Sequence, residues 1–263
     1  MKSNIFLESK KRCKIFRKRI LELSQKVSAL HVGGSFSCTE VMDLIFNIIS
    51  TNAERNLFVL SKGHASILQY TILEYLNVIN KKDLENYCKK DGFLGVHPDI
   101  GNPGINASTG SLGHGLGMVA GIAIAEKKTK NNIYSVLSDG ELQEGSTWEA
   151  IMLIPALKLN NVIIFIDNNN LQSLEKTSES HPNLYPIEKK FESFGWQSFK
   201  CDGHNTEKLY KLVKNKKKDK PLAIIAESIK GYPVSFMMHE PIWHYKSPDK
   251  IEYKKAISEI DSL

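Results

Sequence analysis

Two short stretches hold the residue types best suited to chemistry: SDGELQEG at Ser138–Gly145 and DNNNLQ at Asp167–Gln172. Asp139 offers a carboxylate. Gly140 lets the backbone come close to an anion, with its N–H free for a phosphate oxygen. Asn169 offers a side-chain carbonyl thirty positions after Asp139. An oxygen-only pair suits Mg2+ or Ca2+, and Mg2+ takes few protein ligands, completing its shell with phosphate and water. A DG and an NNN are also ordinary turn sequences. Whether they bind anything depends on the elements that hold them.

Those elements alternate. IYSVLSD (Ile133–Asp139) is an apolar run ending in polar residues, as expected of a buried strand that opens into a loop. EGSTWEAIMLIPALKL (Glu144–Leu159) has helical spacing, with Pro155 expected to kink or end it. NVIIFIDNN (Asn161–Asn169) is β-branched and stops abruptly, and PLAIIAES (Pro221–Ser228) repeats the strand signature. Strands separated by helices imply an α/β fold, a parallel sheet flanked by helices on both faces. Ligands bind such sheets beyond the carboxyl ends of the strands, where Asp139 and Asn169 fall. A single domain over residues 1–263 is the simplest organisation. From about Ile229 its tail, GYPVSFMMHEPIWHYKSPD, reads as irregular and long enough to fold over a site.

Composition excludes several classes. The chain has 263 residues, 41% hydrophobic and 24% charged, ordinary for a globular protein. No apolar run approaches the roughly 20 residues that span a bilayer. The start, MKSNIFLESKKRCKIFRKRI, lacks the apolar core and cleavage site of a secretory signal. Cys13, Cys38, Cys88 and Cys201 form no CxxC pair, zinc pattern or disulfide framework. A cytoplasmic protein with reduced thiols is the expectation. A net charge of +6 raises the question of nucleic acid. The excess lies in Lys10–Arg19, on an amphipathic helix, and in the polar run Lys211–Lys220, and both read as solvated surface.

Taken together, DG followed by a DNN-type strand end resembles the thiamine diphosphate fingerprint. The version here, DGELQEGSTWEA with DNNNLQS, resembles transketolase, above all the N-terminal half of transketolases encoded as two chains. The resemblance runs from about Leu30 to His244. It implies a diphosphate-type thiamine diphosphate module, with Asp139, Asn169 and the backbone carbonyl of Leu171 holding Mg2+ (or Ca2+). ALHVGGSFSCTEV at Ala29–Val41 implies a substrate-side His31. SKGHAS implies His64 beside the diphosphate and thiazolium, and GVHPD implies His97 near the reacting carbon. STGSLGHGLGMVAGIAIA implies Leu112 and Gly113 against the cofactor, and KGYPVSFMMHEPIWH ends in a substrate-side His244. Gly140 and Glu141 join the cofactor set. Glu144 matches an acidic position that couples two cofactor sites across a subunit interface, though a carboxylate at a helix N-terminus is equally ordinary.

The chemistry suits the residue types. Histidine accepts, carries or donates a proton near neutral pH. The cofactor supplies the electron sink, while protein groups move protons and orient hydroxyls. Any one of these histidines could instead be a plain surface or core residue, which is the only reading for His181 and His204. The glycines from Gly110 to Gly121 could serve the ligand, close helix packing or a subunit contact.

The sequence departs from the pattern at Ser138 (usually glycine), where a small residue still fits the metal motif, and at His114 (often glutamine), which alters reach to substrate or thiazolium; Pro233, Met238 and His239 change the substrate-side loop and bear on sugar specificity. The resemblance further implies that the glutamate activating the aminopyrimidine sits in a second, pyrimidine-binding domain, for which no segment is left over. The expectation is ketol transfer between a ketose donor and an aldose acceptor, sugars or sugar phosphates, active only with a C-terminal companion chain in an α2β2 assembly. Other readings are a different thiamine enzyme (a specialised sugar-modifying ketol transferase, or one like deoxyxylulose phosphate synthase) and a non-catalytic binding module. Neither nucleic acid nor membrane is an expected partner.

Overall fold

The computed structural model describes residues 2–27, 30–50, 57–129, 131–173 and 175–263. Ala29, the first residue of the His31 segment, lies outside them. The helices are α1 (Lys2–Ser24), α2 (Val32–Ser37), α3 (Thr39–Asp43), α4 (Ser66–Tyr75), α5 (Lys81–Glu85), α6 (Gly115–Ala125), α7 (Gly145–Ala156), α8 (Thr177–Ser180), α9 (Ile187–Ser193), α10 (Thr206–Lys214) and α11 (Lys250–Asp261). The strands are β1 (Leu57–Leu60), β2 (Ile133–Ser138), β3 (Val162–Asn168), β4 (Gln197–Asp202) and β5 (Leu222–Glu227). They pair in the order β1-β2-β3-β5-β4, and every pairing is parallel.

Both faces of the sheet are buried, and period-two alternation divides the apolar residues between them. In β3, Ile163 and Phe165 face a core that includes Phe16 and Ile20 of α1, Phe36 of α2, Leu68 of α4, and Leu209 of α10. Val162, Ile164 and Ile166 face the other way, onto Val119 of α6, Ile151 of α7 and Phe191 of α9. Because all strands run one way, their carboxyl ends share one edge, and every loop discussed below leaves from it.

Three strands follow the sequence expectation within a residue. The others, LFVL and QSFKCD, carry no comparable signal. The first has only four residues. The second is an edge strand, buried at its start and partly exposed from Phe199 on, so it shows no continuous apolar run. Pro155 stands one residue before the end of α7. The tail is irregular through the turn Pro241–His244, after which α11 opens with a capping box between Asp249 and Glu252.

The basic stretch of α1 is not simply solvated. Arg12 pairs with buried Asp43 at 2.6 Å, Arg17 with Glu40 at 2.7 Å, and Arg19 with Glu74 at 2.7 Å. Three of its cations therefore hold the helix to the body of the protein. No helix among the described residues is long and apolar enough to cross a membrane.

Candidate active site

At the carboxyl edge of the sheet a cavity of about 620 Å3 opens, lined by His31, His64, His97, His244, Lys62 and Lys230 among others. Each histidine arrives on a different piece of chain. His31 is the residue before α2, His64 lies in the turn after β1, His97 in the loop after α5, and His244 ends the turn Pro241–His244. Their rings converge: His31 lies 4.9 Å from His244, 5.5 Å from His64 and 6.5 Å from His97, centroid to centroid. Tyr245 closes on His244 at 4.5 Å.

Burial, and then the charge of neighbouring cations, keeps three of these rings neutral. The pKa of His31 falls to about 4 through burial, His97, Lys230 and Lys62. That of His244 falls to about 3 through burial, Lys230 and His31. His64 is depressed well below its ordinary value by burial and Lys62. Neutral imidazoles can each accept one hydrogen bond and donate another. The Nδ1 atoms of His31 and His97 are buried and without a partner, which suits a ligand-binding surface.

The ends of β2 and β3 form the floor. Asp139 is wholly buried. Its Oδ1 accepts from the Gly140 N–H (2.9 Å), and its Oδ2 from the Asn170 N–H (2.7 Å) and the Thr177 hydroxyl (3.1 Å). Burial and the nearby Asp167 raise its carboxyl to about 7. Asn169 accepts from the Leu171 N–H at 3.0 Å and donates to Asp167 at 3.2 Å and Ser37 at 3.3 Å.

One sequence expectation needs correction. Gly140 does not offer a free N–H, because Asp139 caps the short turn Gly140–Gln143 with its own carboxylate. Gly113, at φ +87°, spends its N–H on Glu141 Oε1 (3.1 Å), and its carbonyl accepts from Ser146 (2.8 Å). Glu141 is buried and also accepts from Ser61 at 2.5 Å. Leu112, Gly140, Asn169 and Leu171 line the cavity, whereas Asp139, Gly113 and Glu141 stand behind it. Glu144 is exposed at the start of α7 and is not brought to the histidines. His114 is exposed and lines a separate shallow hollow with Ser108, Thr109 and Ser111.

Three charged residues do not stand out in the sequence. Lys62, fully buried, donates to Asp167 at 2.5 Å and to the Gly34 carbonyl at 2.9 Å. Asp167 also accepts from Ser37 at 2.5 Å and from Ser228. Lys230 lies 3.1 Å from Nδ1 of His244, and burial together with Lys62 lowers its pKa to about 8. All three belong to the motifs SKGHAS, DNNNLQ and KGYPV, so a signal existed. What the motifs cannot show is which of their charges are neutralised internally.

Residues 10–244 match the family model described as the transketolase thiamine diphosphate-binding domain. The chain belongs to this family. It is 34% identical to one subunit of the apulose-4-phosphate transketolase of Actinobacillus succinogenes, an alignment covering 96% of each chain. It is also 34% identical to one subunit of the 6-deoxy-6-sulfo-D-fructose transketolase of a Clostridium species, covering 94% of each. The crystal structure of Campylobacter jejuni transketolase superposes with a TM-score of 0.90 at 26% identity, covering 96% of this chain but only 42% of that one. The chain thus spans less than half of that larger transketolase.

The residues of this transketolase domain fit the cofactor. The floor and the layer beneath it hold hard oxygen donors: the Asp139 carboxylate just behind the cavity wall, and the Asn169 amide carbonyl and the backbone around Leu171 in the lining. Among the described residues no group of three or more His, Cys, Asp or Glu is placed to hold a metal ion. A divalent ion here must therefore draw the rest of its shell from a ligand's own oxygens, as Mg2+ commonly does with phosphates. Lys230 adds a cation facing the cavity, hydrogen-bonded to the imidazole of His244.

Proposed function

We propose that this chain is the diphosphate-holding half of a two-chain transketolase-like enzyme that moves a two-carbon ketol unit from a ketose to an aldose. The observation that carries the reading is the convergence of four histidines and Lys230 over the Asp139–Asn169 floor. In it, Asp139, Asn169 and the Leu171 carbonyl hold Mg2+ (or Ca2+), and His64, Leu112 and Lys230 contact thiamine diphosphate. Gly113 and Glu141 shape that wall from behind. When bound, the cofactor supplies the electron sink for breaking and making the carbon–carbon bond. His31, His97 and His244 face the space left for the sugar. They orient its hydroxyls and pass protons, and His31 and His97 each have an unpaired ring nitrogen for the purpose.

A companion chain completes the site. The described residues present no carboxylate in the cavity besides Glu175 at its rim, so the acid that works on the aminopyrimidine must come from elsewhere. Helices α6 and α7 pack together and expose Ile124, Met152 and Leu153, with Leu157 exposed just past the end of α7, apolar surface of the kind that marks an interface. Gly117 and Gly121 lie open on α6, and Glu144 stands exposed at the start of α7, fitting a coupling role across that contact. Relatives from Actinobacillus succinogenes and Phocaeicola vulgatus are each named as one subunit of a transketolase, which supports a second chain. An α2β2 arrangement would combine that contact with two-fold symmetry, the commonest closed form.

The test is reconstitution. The purified chain is mixed with the product of a neighbouring reading frame that encodes a pyrimidine-binding domain, and ketol transfer is measured. The expected result is Mg2+-dependent transfer from the mixture and none from either chain alone. Full transfer by this chain alone would refute the reading.

A further inference from the structure

Behind the Lys230 side of the cavity lies a buried polar chain that takes no part in the contacts proposed for cofactor and sugar. Arg17 of α1 donates to both oxygens of Glu40 on α3, at 2.7 and 2.8 Å, and to the Phe36 carbonyl at the end of α2, at 3.0 Å. Glu40 also accepts from Nδ1 of His204 at 2.9 Å. His204 follows β4, where its own N–H donates to Asp202 at 2.9 Å, and its ring stacks on Tyr232 with centroids 4.0 Å apart. The last link leads towards the cavity: the backbone N–H of Ile229 donates to Nε2 of His204 at 2.9 Å.

These contacts fix the tautomer. Nε2 accepts a backbone N–H and so carries no proton; Nδ1 must then be the N–H that Glu40 receives. The ring is a neutral connector, oriented at one end by a carboxylate that Arg17 locks in place. Its other end holds the residue immediately before Lys230. That segment has further anchors, since Gly231 donates to the Gly33 carbonyl at 3.1 Å and Ser228 to the Asn168 carbonyl at 3.2 Å. Gly33 lies on α2, the helix preceded by His31. The chain from Arg17 to Ile229 therefore links the wall carrying His31 to the wall carrying Lys230 and His244.

We propose that His204 is a positioning residue for this site: through the Ile229 N–H it sets the corner from which Lys230 enters the cavity beside His244. The role as stated rests on the thiamine-enzyme reading, but its physical core is a property of the free chain. His204 touches neither cofactor nor sugar, and its effect passes through Lys230.

Two substitutions separate the ring's two bonds. His204→Gln places an amide oxygen near the position of Nε2, keeping an acceptor for Ile229 and losing the donor to Glu40. His204→Asn keeps a donor near Nδ1 and loses the acceptor for Ile229. Both lose the stack on Tyr232, so that loss cancels in the comparison. Amide hydrogen exchange of residues 229–232 is read in the full chain without cofactor. The donor-ketose KM and kcat, and the thiamine diphosphate Kd from tryptophan fluorescence at saturating Mg2+, are read in the reconstituted enzyme. Positioning predicts that the Asn variant exchanges about five- to tenfold faster, the worth of one hydrogen bond, and loses kcat/KM to a similar degree. The Gln variant stays within about twofold of wild type on the same scale. Equal effects, or greater damage in the Gln variant, would mean that the Glu40 bond alone matters and would overturn the proposal. If the exchange order holds but no companion chain yields ketol transfer, the thiamine reading fails while the positioning of the Lys230 corner stands.

Discussion

The backbone N–H of Asn170 donates to Oδ2 of Asp139 across 2.7 Å, so the carboxylate at the end of β2 fastens the loop that leaves β3. In the proposed site that one side chain both shapes the floor of the cavity and would supply charge for the metal. Asp139→Ala should separate these duties. The N–H groups of Gly140 and Asn170 lose their acceptor, a cost of about 1–3 kcal/mol for each group left unsatisfied, so the melting temperature falls. Mg2+-dependent retention of thiamine diphosphate should weaken by about a hundredfold, the upper range for disturbing a metal site. Asn169→Ala should weaken it comparably. Calorimetric melting and titration of Mg2+–thiamine diphosphate measure the two effects. A variant that melts early yet binds the cofactor like wild type would sink the clamp.

Much of this floor is legible in the sequence. Asp139 and Asn169 each follow an apolar run long enough to be a strand, and parallel strands present their ends on one edge. The four histidines are legible as motif members. Lys62 and Asp167 sit in motifs too, but their pairing is not legible, because it joins residues 105 positions apart and nothing local announces it. Arg17 reads wrongly for a related reason. A charge on an amphipathic helix reads as solvated unless its partner, here Glu40, is known to lie beneath it. His204 has no motif to lift it above an ordinary histidine, and only its two hydrogen bonds distinguish it. The engaged N–H of Gly113 likewise follows from a tertiary neighbour, Glu141, that no spacing rule encodes, whereas that of Gly140 is held locally by Asp139.

The Arg17–Glu40 pair should dominate the acid limb of stability. Against the opposing effect of burial, Arg17 and then His204 hold the Glu40 carboxyl down to about 2, from an ordinary value of 4.5. A depressed carboxyl stabilises the fold fully above its unfolded value, and that contribution drains away as pH falls from 4.5 towards 2. Glu40→Ala leaves the Arg17 guanidinium buried without its counter-charge, which costs about 3–5 kcal/mol. Denaturant unfolding at pH 7 should show that loss, and the gap to wild type should narrow as pH drops from 4.5 to 2. A gap independent of pH across that window would show that the pair is not its source.

Lys230 and His244 should titrate as neighbours. Lys230 is one cause, after burial, of the depressed pKa of His244, which lies near 3. In Lys230→Met the imidazole should therefore titrate higher, yet still below its ordinary 6.5, because burial remains. Proton NMR of the His244 ring over pH 2–8 reads this directly. In the wild-type chain, Lys230 is charged below about 8 and neutral above it, so affinity for an anionic ligand should decline as pH rises from 8 to 9. The Met variant should bind more weakly and lack that decline. An unchanged His244 titration in the variant would rule out their electrostatic contact.

Gly110 should matter to His97 more than to the fold. Its φ is +146°, and an added Cβ would fall 2.8 Å from Cγ and Cδ2 of the His97 ring. His97 cannot simply shift as a whole, since its carbonyl accepts from the Tyr70 hydroxyl at 2.8 Å; the ring must turn instead. Gly110→Ala should cost roughly 1 kcal/mol or more in stability, as expected where φ is positive. It should also lower kcat of the reconstituted enzyme, by up to about a hundredfold for a displacement near 1 Å. Gly101→Ala is the matched control. Its φ is +100°, but nothing lies within 4 Å of the added Cβ, so backbone strain appears without pressure on a ring. The two variants should melt below wild type by similar amounts, while only Gly110→Ala loses turnover. If Gly101→Ala loses turnover equally, the effect comes from strain in this loop and not from displacement of His97.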